Sequence, residues 1–85
     1  MEIKVSFHPH ALLRMEERGA SEAEVTQTVR EGEHFPAKFD RTGFRHNFSF
    51  VSLWQDRHYA NKQIEAFAVQ EKGNWLIITV IVRYF

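Results

Sequence analysis

The chain is defined first by what it lacks. It has no cysteine, so neither disulfide bonds nor thiolate-bound zinc can stabilise it. It has no apolar run of about 18 residues, so no membrane span is expected. Its 11 basic and 11 acidic side chains cancel, which counts against a strong non-specific nucleic-acid binder. Packing alone, or a partner subunit, has to stabilise the fold.

The composition indicates one ordinary globular domain over residues 1–85. Hydrophobic residues make up 44% of the chain and include eight phenylalanines, which is enough for a single core. Met1 to Val5 lack the basic and long apolar regions of a signal peptide, which favours the cytoplasm.

Charge is distributed unevenly along this neutral chain. Residues 1–33 carry four basic and seven acidic groups (4 − 7 = −3), whereas residues 34–85 carry seven basic and four acidic groups (7 − 4 = +3). A polyanion would therefore be expected on the second half of the chain.

Two short helices are predicted near the start of the chain. Pro9 suits a first helical position and Gly19 a left-handed end, so one helix lies between them, with His8 as its cap. Ser21 and Glu24 form a capping box that starts a second helix, which ends at Gly32.

Most of the remaining chain alternates with a period of two and predicts strands. With the helices, these give an α+β fold in the order β-α-α-β-β-β-β, two N-terminal helices on a mostly antiparallel, twisted sheet of four to five strands. Trp54 to Tyr59 is interpreted as a loop or strand end, and Trp75 to Phe85 as a central strand covered on both faces. The other predicted segments are strands at Glu2–Phe7, Phe44–Phe50 and Lys62–Gln70, an edge strand or irregular lead-in at Phe35–Phe39, and turns at Asp40–Gly43 and Glu71–Asn74.

The first helix carries the strongest chemical pattern. His10, Arg14 and Arg18 recur every four residues and form one stripe. A histidine among the free N–H groups of the first turn, with two arginines below it, suits a phosphate. The alternative is a solvated face whose arginines pair with Glu17, Glu22 or other acids.

Three further sets of residues were weighed. His8 and His10 could begin a metal site with His34, His46 or His58 as third ligand, but the spacing matches no zinc motif, and no metal or cofactor is expected. His46 shares a strand face with phenylalanines and is interpreted as a core or rim histidine. Thr79 and Arg83 share a face of the last strand, where they could bind a substrate. The alternative is that Thr79 only favours strand formation and that Arg83 forms a surface ion pair. Tyr84 faces the other way and is expected to pack.

Two stretches of sequence resemble a small bacterial family known as domain of unknown function 4258. The first runs His10-Ala11-x-x-Arg14-Met15-x-x-Arg18-Gly19-x-Ser21, followed by Glu24-Val25. The second comprises residues 62–69 and 76–80, Lys-Gln-Ile-Glu-Ala-Phe-Ala-Val and Leu-Ile-Ile-Thr-Val. That family is similar to the RelE/ParE-like group of small α+β folds, which includes many RNA-cleaving toxins.

The resemblance implies a metal-independent endoribonuclease or a relative of one. His10 and Arg14 would be catalytic, and Arg18, Thr79 and Arg83 would bind the substrate. The partners implied are RNA and a cognate antitoxin or other protein. No membrane partner is implied, and a homo-oligomer is compatible with the resemblance. The alternative is a non-catalytic binding or regulatory module with the same fold, which the neutral charge and the aromatic side chains favour.

Overall fold

The fold consists of two helices and five strands. A computed structural model describes residues 4–85, so the part of the first predicted strand at residues 2 and 3 lies outside the described range. The elements are β1 (Val5–Phe7), α1 (Pro9–Arg18), α2 (Glu22–Glu31), β2 (Glu33–Pro36), β3 (Thr42–Trp54), β4 (Arg57–Glu71) and β5 (Asn74–Tyr84). No helix among these residues is long and apolar enough to cross a membrane.

The predicted caps of both helices are confirmed. Pro9 begins α1, and the Nδ1 atom of His8 accepts a hydrogen bond of 3.1 Å from the backbone N–H of His10. Gly19 ends α1 with a left-handed φ of 80°. Ser21 and Glu24 form the reciprocal capping box of α2. Local chemistry therefore sets the boundaries of both helices.

The five strands form one sheet in the order β1-β5-β4-β3-β2. β1 pairs with β5 in parallel, and every other neighbouring pair is antiparallel. The short strand β2 lies at one edge, as Pro36 predicts, because proline cannot donate a hydrogen bond to a further strand. The predicted α+β architecture is thus confirmed, with five strands.

Of the two interpretations of Trp54 to Tyr59, the strand end is correct and the loop is not. β3 runs to Trp54 and β4 begins at Arg57, so only Gln55 and Asp56 form the turn. Both turn residues have positive φ, 49° and 66°, which matches the tight two-residue turn that joins twisted strands. Neither is glycine or asparagine, so the usual sequence signal of this turn is missing.

Both helices pack on the same face of the sheet, and this corrects the prediction that the last strand is covered on both faces. The hydroxyl of Tyr84 donates to the Arg18 carbonyl at 2.7 Å, and Lys62, opposite Tyr84 in the register, contacts Glu24 of α2. The buried apolar core lies in this layer, at Ala11, Met15, Ala20, Val25, Phe44, Ile64, Ala66, Ala68, Ile77 and Val80. No helix of residues 4–85 packs on the other face of the sheet, called the open face below.

A buried lysine ties the junction of the two helices to β4. The Lys62 ammonium donates to the Gly19 carbonyl and to both carboxylate oxygens of Glu24, at 2.9 and 3.1 Å. It also lies 5.8 Å from the ring centre of Phe50 and 5.9 Å from that of Tyr84. Its charge is therefore balanced by a carboxylate, a carbonyl and two aromatic faces.

Candidate functional site

The predicted stripe on α1 separates into two environments. His10 is exposed, and Arg14 pairs with Glu17 at 2.9 Å on the solvent side of the helix. Arg18 turns towards the sheet, where its Nη1 donates to the Val80 carbonyl at 2.6 Å. His10 and Arg14 thus stay accessible to a ligand, whereas Arg18 fastens the helix to β5.

Thr79 and Arg83 lie on the open face, on the opposite side of the sheet from the helices. Thr79 is opposite Phe67 in the register, and the Arg83 guanidinium pairs with Glu65. Tyr84 faces the helix layer, as predicted. The structure therefore does not bring the five predicted site residues together, since three belong to α1 and two to the other side of the sheet.

The open face holds a cluster of charged side chains from four neighbouring strands. Glu65 of β4 lies at its centre, with only 7% of its side chain exposed. Arg45 of β3 donates to one Glu65 oxygen through Nε at 3.0 Å and Nη2 at 2.7 Å, and Arg83 of β5 pairs with the other oxygen. Arg45 also reaches Glu33 of β2 at 2.7 Å. We call these four residues the open-face cluster.

Electrostatics keep the central carboxylate ionised. Burial by itself would raise the pKa of Glu65, but the hydrogen bonds from Arg45 and Arg83, with their positive charges, outweigh it and lower the pKa below its usual value. The carboxylates of Glu65 and Glu33 in turn raise the pKa of Arg45. The Glu65 carboxylate and the Arg45 guanidinium are therefore both charged at neutral pH.

A cleft of about 350 Å³ opens beside this cluster, at the start of β2, where the pairing of β2 with β3 stops at Glu33 and Arg45. It is lined by Glu33, Arg45, His46 and Asn47. The His46 ring also packs edge-on against Phe48, at 4.9 Å between ring centres. His46 is thus a rim histidine, as interpreted, but one that borders a cleft together with an arginine and a carboxylate.

Arg83 is recognisable as a candidate from the sequence, whereas Arg45 and Glu65 were missed. Their meeting depends on pairing across three strands, which places Arg45 opposite Glu65 and Arg83 opposite the neighbouring Gln63. One signal was available, because Glu65 is the only charged residue within the apolar stretch from Ile64 to Val69. A lone carboxylate in such a stretch predicts a cationic partner on a neighbouring strand.

The histidines do not gather around a common point. Over residues 4–85, no group of three or more His, Asp or Glu side chains is arranged so that it could hold a metal ion. His8 acts as a helix cap through Nδ1. The arrangement on the open face instead suits an anion, because two guanidinium groups converge there on one negatively charged group.

Comparison with known proteins identifies the family. No curated protein and no solved structure matches the chain. Residues 7–82 match the family described as Domain of unknown function (DUF4258), which agrees with the resemblance seen in the motif from His10 to Ser21. Since the match covers nearly the whole sequence, the chain belongs to the DUF4258 family.

Proposed function

We propose that the protein binds single-stranded RNA across the open face and cleaves it without a metal ion, as a relative of the RelE/ParE-like toxins. The observation that carries the proposal is the ionised Glu65 held between Arg45 and Arg83 on an uncovered sheet. A phosphodiester group carries the same single negative charge as the carboxylate that these arginines already bind, and it also offers oxygen acceptors to their N–H groups.

The groups around the cluster can supply each step of the reaction. The Glu65 carboxylate accepts the proton of a ribose 2′-hydroxyl, whose oxygen then bonds to phosphorus. The bond from phosphorus to the 5′ oxygen breaks, and the Glu65 carboxyl returns the proton to that oxygen through a solvent water molecule. Arg45 and Arg83 stabilise the charge on the phosphate. The products are a 2′,3′-cyclic phosphate and a 5′-hydroxyl.

His10 and Arg14 define a second location for the same chemistry. His10 is exposed and Arg14 is half-buried on the same side of α1, four residues further along the helix, so a phosphate can reach both from solvent. They are separated from the open face by the sheet. Variants at the two locations therefore distinguish them.

The test is cleavage of a single-stranded RNA oligonucleotide by the purified chain in excess chelator, with the product ends identified by mass spectrometry. Glu65→Gln and Arg83→Gln are expected to slow cleavage about 100-fold or more, the usual range for loss of an acid–base group or a charge-stabilising group. Arg83 is a safe substitution for folding because 58% of its side chain is exposed.

His10→Ala and Arg14→Ala are the matched variants on the helix, and their rates are expected to stay within about 2-fold of the parent, since neither touches the proposed reacting atoms. Loss of cleavage only in these two variants would locate the reaction on α1 and refute the assignment to Glu65. A parent protein that leaves RNA intact would refute cleavage altogether.

A second candidate function is a binding module that acts through protein contacts. The observation that favours it is the projecting end of the β3–β4 hairpin, where Val51 and Leu53 are exposed, together with the exposed Phe85 that pairs with Asn61 beside it. Exposed apolar side chains of this kind mark interaction surfaces. Light scattering after size exclusion tests it: a dimer that Leu53→Ser converts to a monomer supports this function, and a concentration-independent monomer counts against self-association.

A further inference from the structure

An apolar groove of about 430 Å³ opens on the same side of the sheet as the open-face cluster. Its floor is formed by Phe35 of β2, with Phe67 and Thr79 of the two central strands, and its rim by the turn that joins β2 to β3. The volume falls within the range of about 300–1,000 Å³ that is typical of small-molecule sites. We call it the phenylalanine groove.

The floor of the groove is held in place by packing. Phe35 and Phe67 meet edge to face, with ring centres 6.1 Å apart. Gly43 lies opposite Phe35 in the register, and any side chain there would overlap the Phe35 ring. Glycine therefore lets the Phe35 ring lie flat across β3, which leaves a pre-formed aromatic surface.

The rim combines an exposed aromatic ring with positive charge. Phe39 is 82% exposed, and the Arg41 guanidinium lies 5.6 Å from its ring centre. Lys38 also lines the groove, so two cations border the apolar floor and exceed the single carboxylate of Asp40 in the same turn. An anionic ligand with a flat apolar part is complementary to this rim.

Folding does not account for the ring at this position. Phe39 has a φ of 61°, a left-handed conformation that a bulky side chain adopts only at a cost and that glycine or asparagine adopts readily. The ring meets solvent rather than the core. A residue that is costly for the backbone and adds little burial is of the kind expected at a ligand contact.

The groove and the cluster are adjacent. The Arg45 guanidinium, which binds Glu65, lies 4.6 Å from the ring centre of Phe35 in the groove floor. A nucleotide whose phosphate contacts Arg45 would therefore have its neighbouring base over the aromatic floor. Aromatic rings beside cations are the arrangement with which proteins bind single-stranded nucleic acid.

We propose that the phenylalanine groove binds one unpaired nucleobase of single-stranded RNA, stacked against Phe39 and Phe35, next to the phosphate held by Arg45. This inference rests on the proposed function for its ligand. Thr79, at the groove floor, offers a hydroxyl that can donate to or accept from the edge of the base.

The experiment measures binding rather than cleavage. The probe is a fluorescein-labelled 2′-O-methyl RNA hexamer, which has no free 2′-hydroxyl and cannot be cleaved by the proposed route, and binding to the full chain is followed by fluorescence anisotropy. Phe39→Ala is expected to weaken binding at least about 5-fold, the lower limit for loss of one base–aromatic stack. Phe39→Trp should restore it, and Leu13→Ala, at an exposed apolar residue of α1 on the other side of the sheet, should leave it unchanged.

The outcomes separate this inference from the proposed function. Hexamer binding that depends on Phe39 supports the groove even if the parent chain cleaves no RNA. Equal binding by Phe39→Ala and the parent overturns the assignment of a nucleobase to the groove, and it leaves cleavage at Glu65 untouched. Absence of hexamer binding by the parent overturns the same assignment. A change in self-association in Phe39→Ala, with hexamer binding unaltered, would assign the groove to a protein partner and also overturn it. Melting temperatures of all variants serve as the folding control.

Discussion

Lys62→Met is expected to destabilise the protein strongly, because it removes the charge that neutralises Glu24 beneath the two helices. The lysine side chain is 5% exposed, and its ammonium contacts Glu24 at 2.9 and 3.1 Å as well as the Gly19 carbonyl. Methionine refills the volume of the stem but leaves the Gly19 carbonyl without this donor and the Glu24 carboxylate without its positive partner, with hydrogen bonds from Ser21 remaining.

The size of the effect follows from the burial of the two partners. Removing one member of a buried ion pair typically costs about 3–5 kcal/mol. Because 29% of the Glu24 side chain is exposed, water can solvate part of its charge, and we expect a smaller cost than for a fully buried pair, about 2–3 kcal/mol. For a domain of this size that corresponds to a fall in Tm of about 8–24 °C.

Urea unfolding and calorimetry at pH 7 measure this loss. Lys72→Met, in the exposed turn between β4 and β5, is the matched control and should change stability by less than about 0.5 kcal/mol. The double variant with Glu24→Gln should recover part of the loss, because no unpaired carboxylate remains. A Lys62→Met protein as stable as the control would refute the assigned role of this pair.

Two further perturbations test the stability argument. Gly19→Ala should lower the free energy of unfolding by more than about 1 kcal/mol, because φ is 80° and a Cβ there would approach Trp54 and Tyr84 at 2.7 Å. Gly73→Ala has the same φ but open space around it, so calorimetry of both variants separates the steric overlap from the backbone cost. Equal losses of stability in the two variants would contradict the steric overlap at Gly19. Acid should also destabilise the fold: the pKa values of Glu65 and Glu24 lie below their ordinary value of 4.5 when folded, so the stability they contribute is present above that pH and is lost as pH falls through the folded pKa. Urea midpoints from pH 7 to 3 should therefore decline less steeply in Glu65→Gln than in the parent, and parallel curves would show that the cluster does not contribute.

The sequence was most informative where the determinants of structure are local. Pro9, Gly19 and the Ser21–Glu24 box each act within one helical turn, and both helices lie where these residues predict. The turn at Gln55 and Asp56 was missed because positive φ values there are imposed by strand pairing rather than by glycine. The prediction that both faces of β5 are covered was wrong, because it rested on the apolar composition of the strand. Apolar composition does not show whether a second layer packs on a face.

The candidate site depends on distant pairings, and so it was predicted only in part. Arg83 was identified from its position on a strand face, whereas Arg45 and Glu65 become a site only when β3, β4 and β5 lie side by side. His10 and Arg14 were found through their spacing on one helix, which needs no tertiary information. The RNA cleavage assay compares the catalytic role that the family resemblance implies for them with the role proposed for the open-face cluster.

The pairing of β1 with β5 determines when the molecule can assemble. Val5 lies opposite Trp75, a separation of 70 residues, and the backbone N–H of His8 at the start of α1 bonds to the Ile77 carbonyl. The first strand and the helix that carries the family motif thus find their docking surface only in the last strand, and closing so long a loop is slow. During synthesis this N-terminal segment can dock only after β5, close to the end of the chain, has been made. Because Arg83 also lies on β5, the open-face cluster forms in the same late step, so a partly made chain holds neither the fold nor the site.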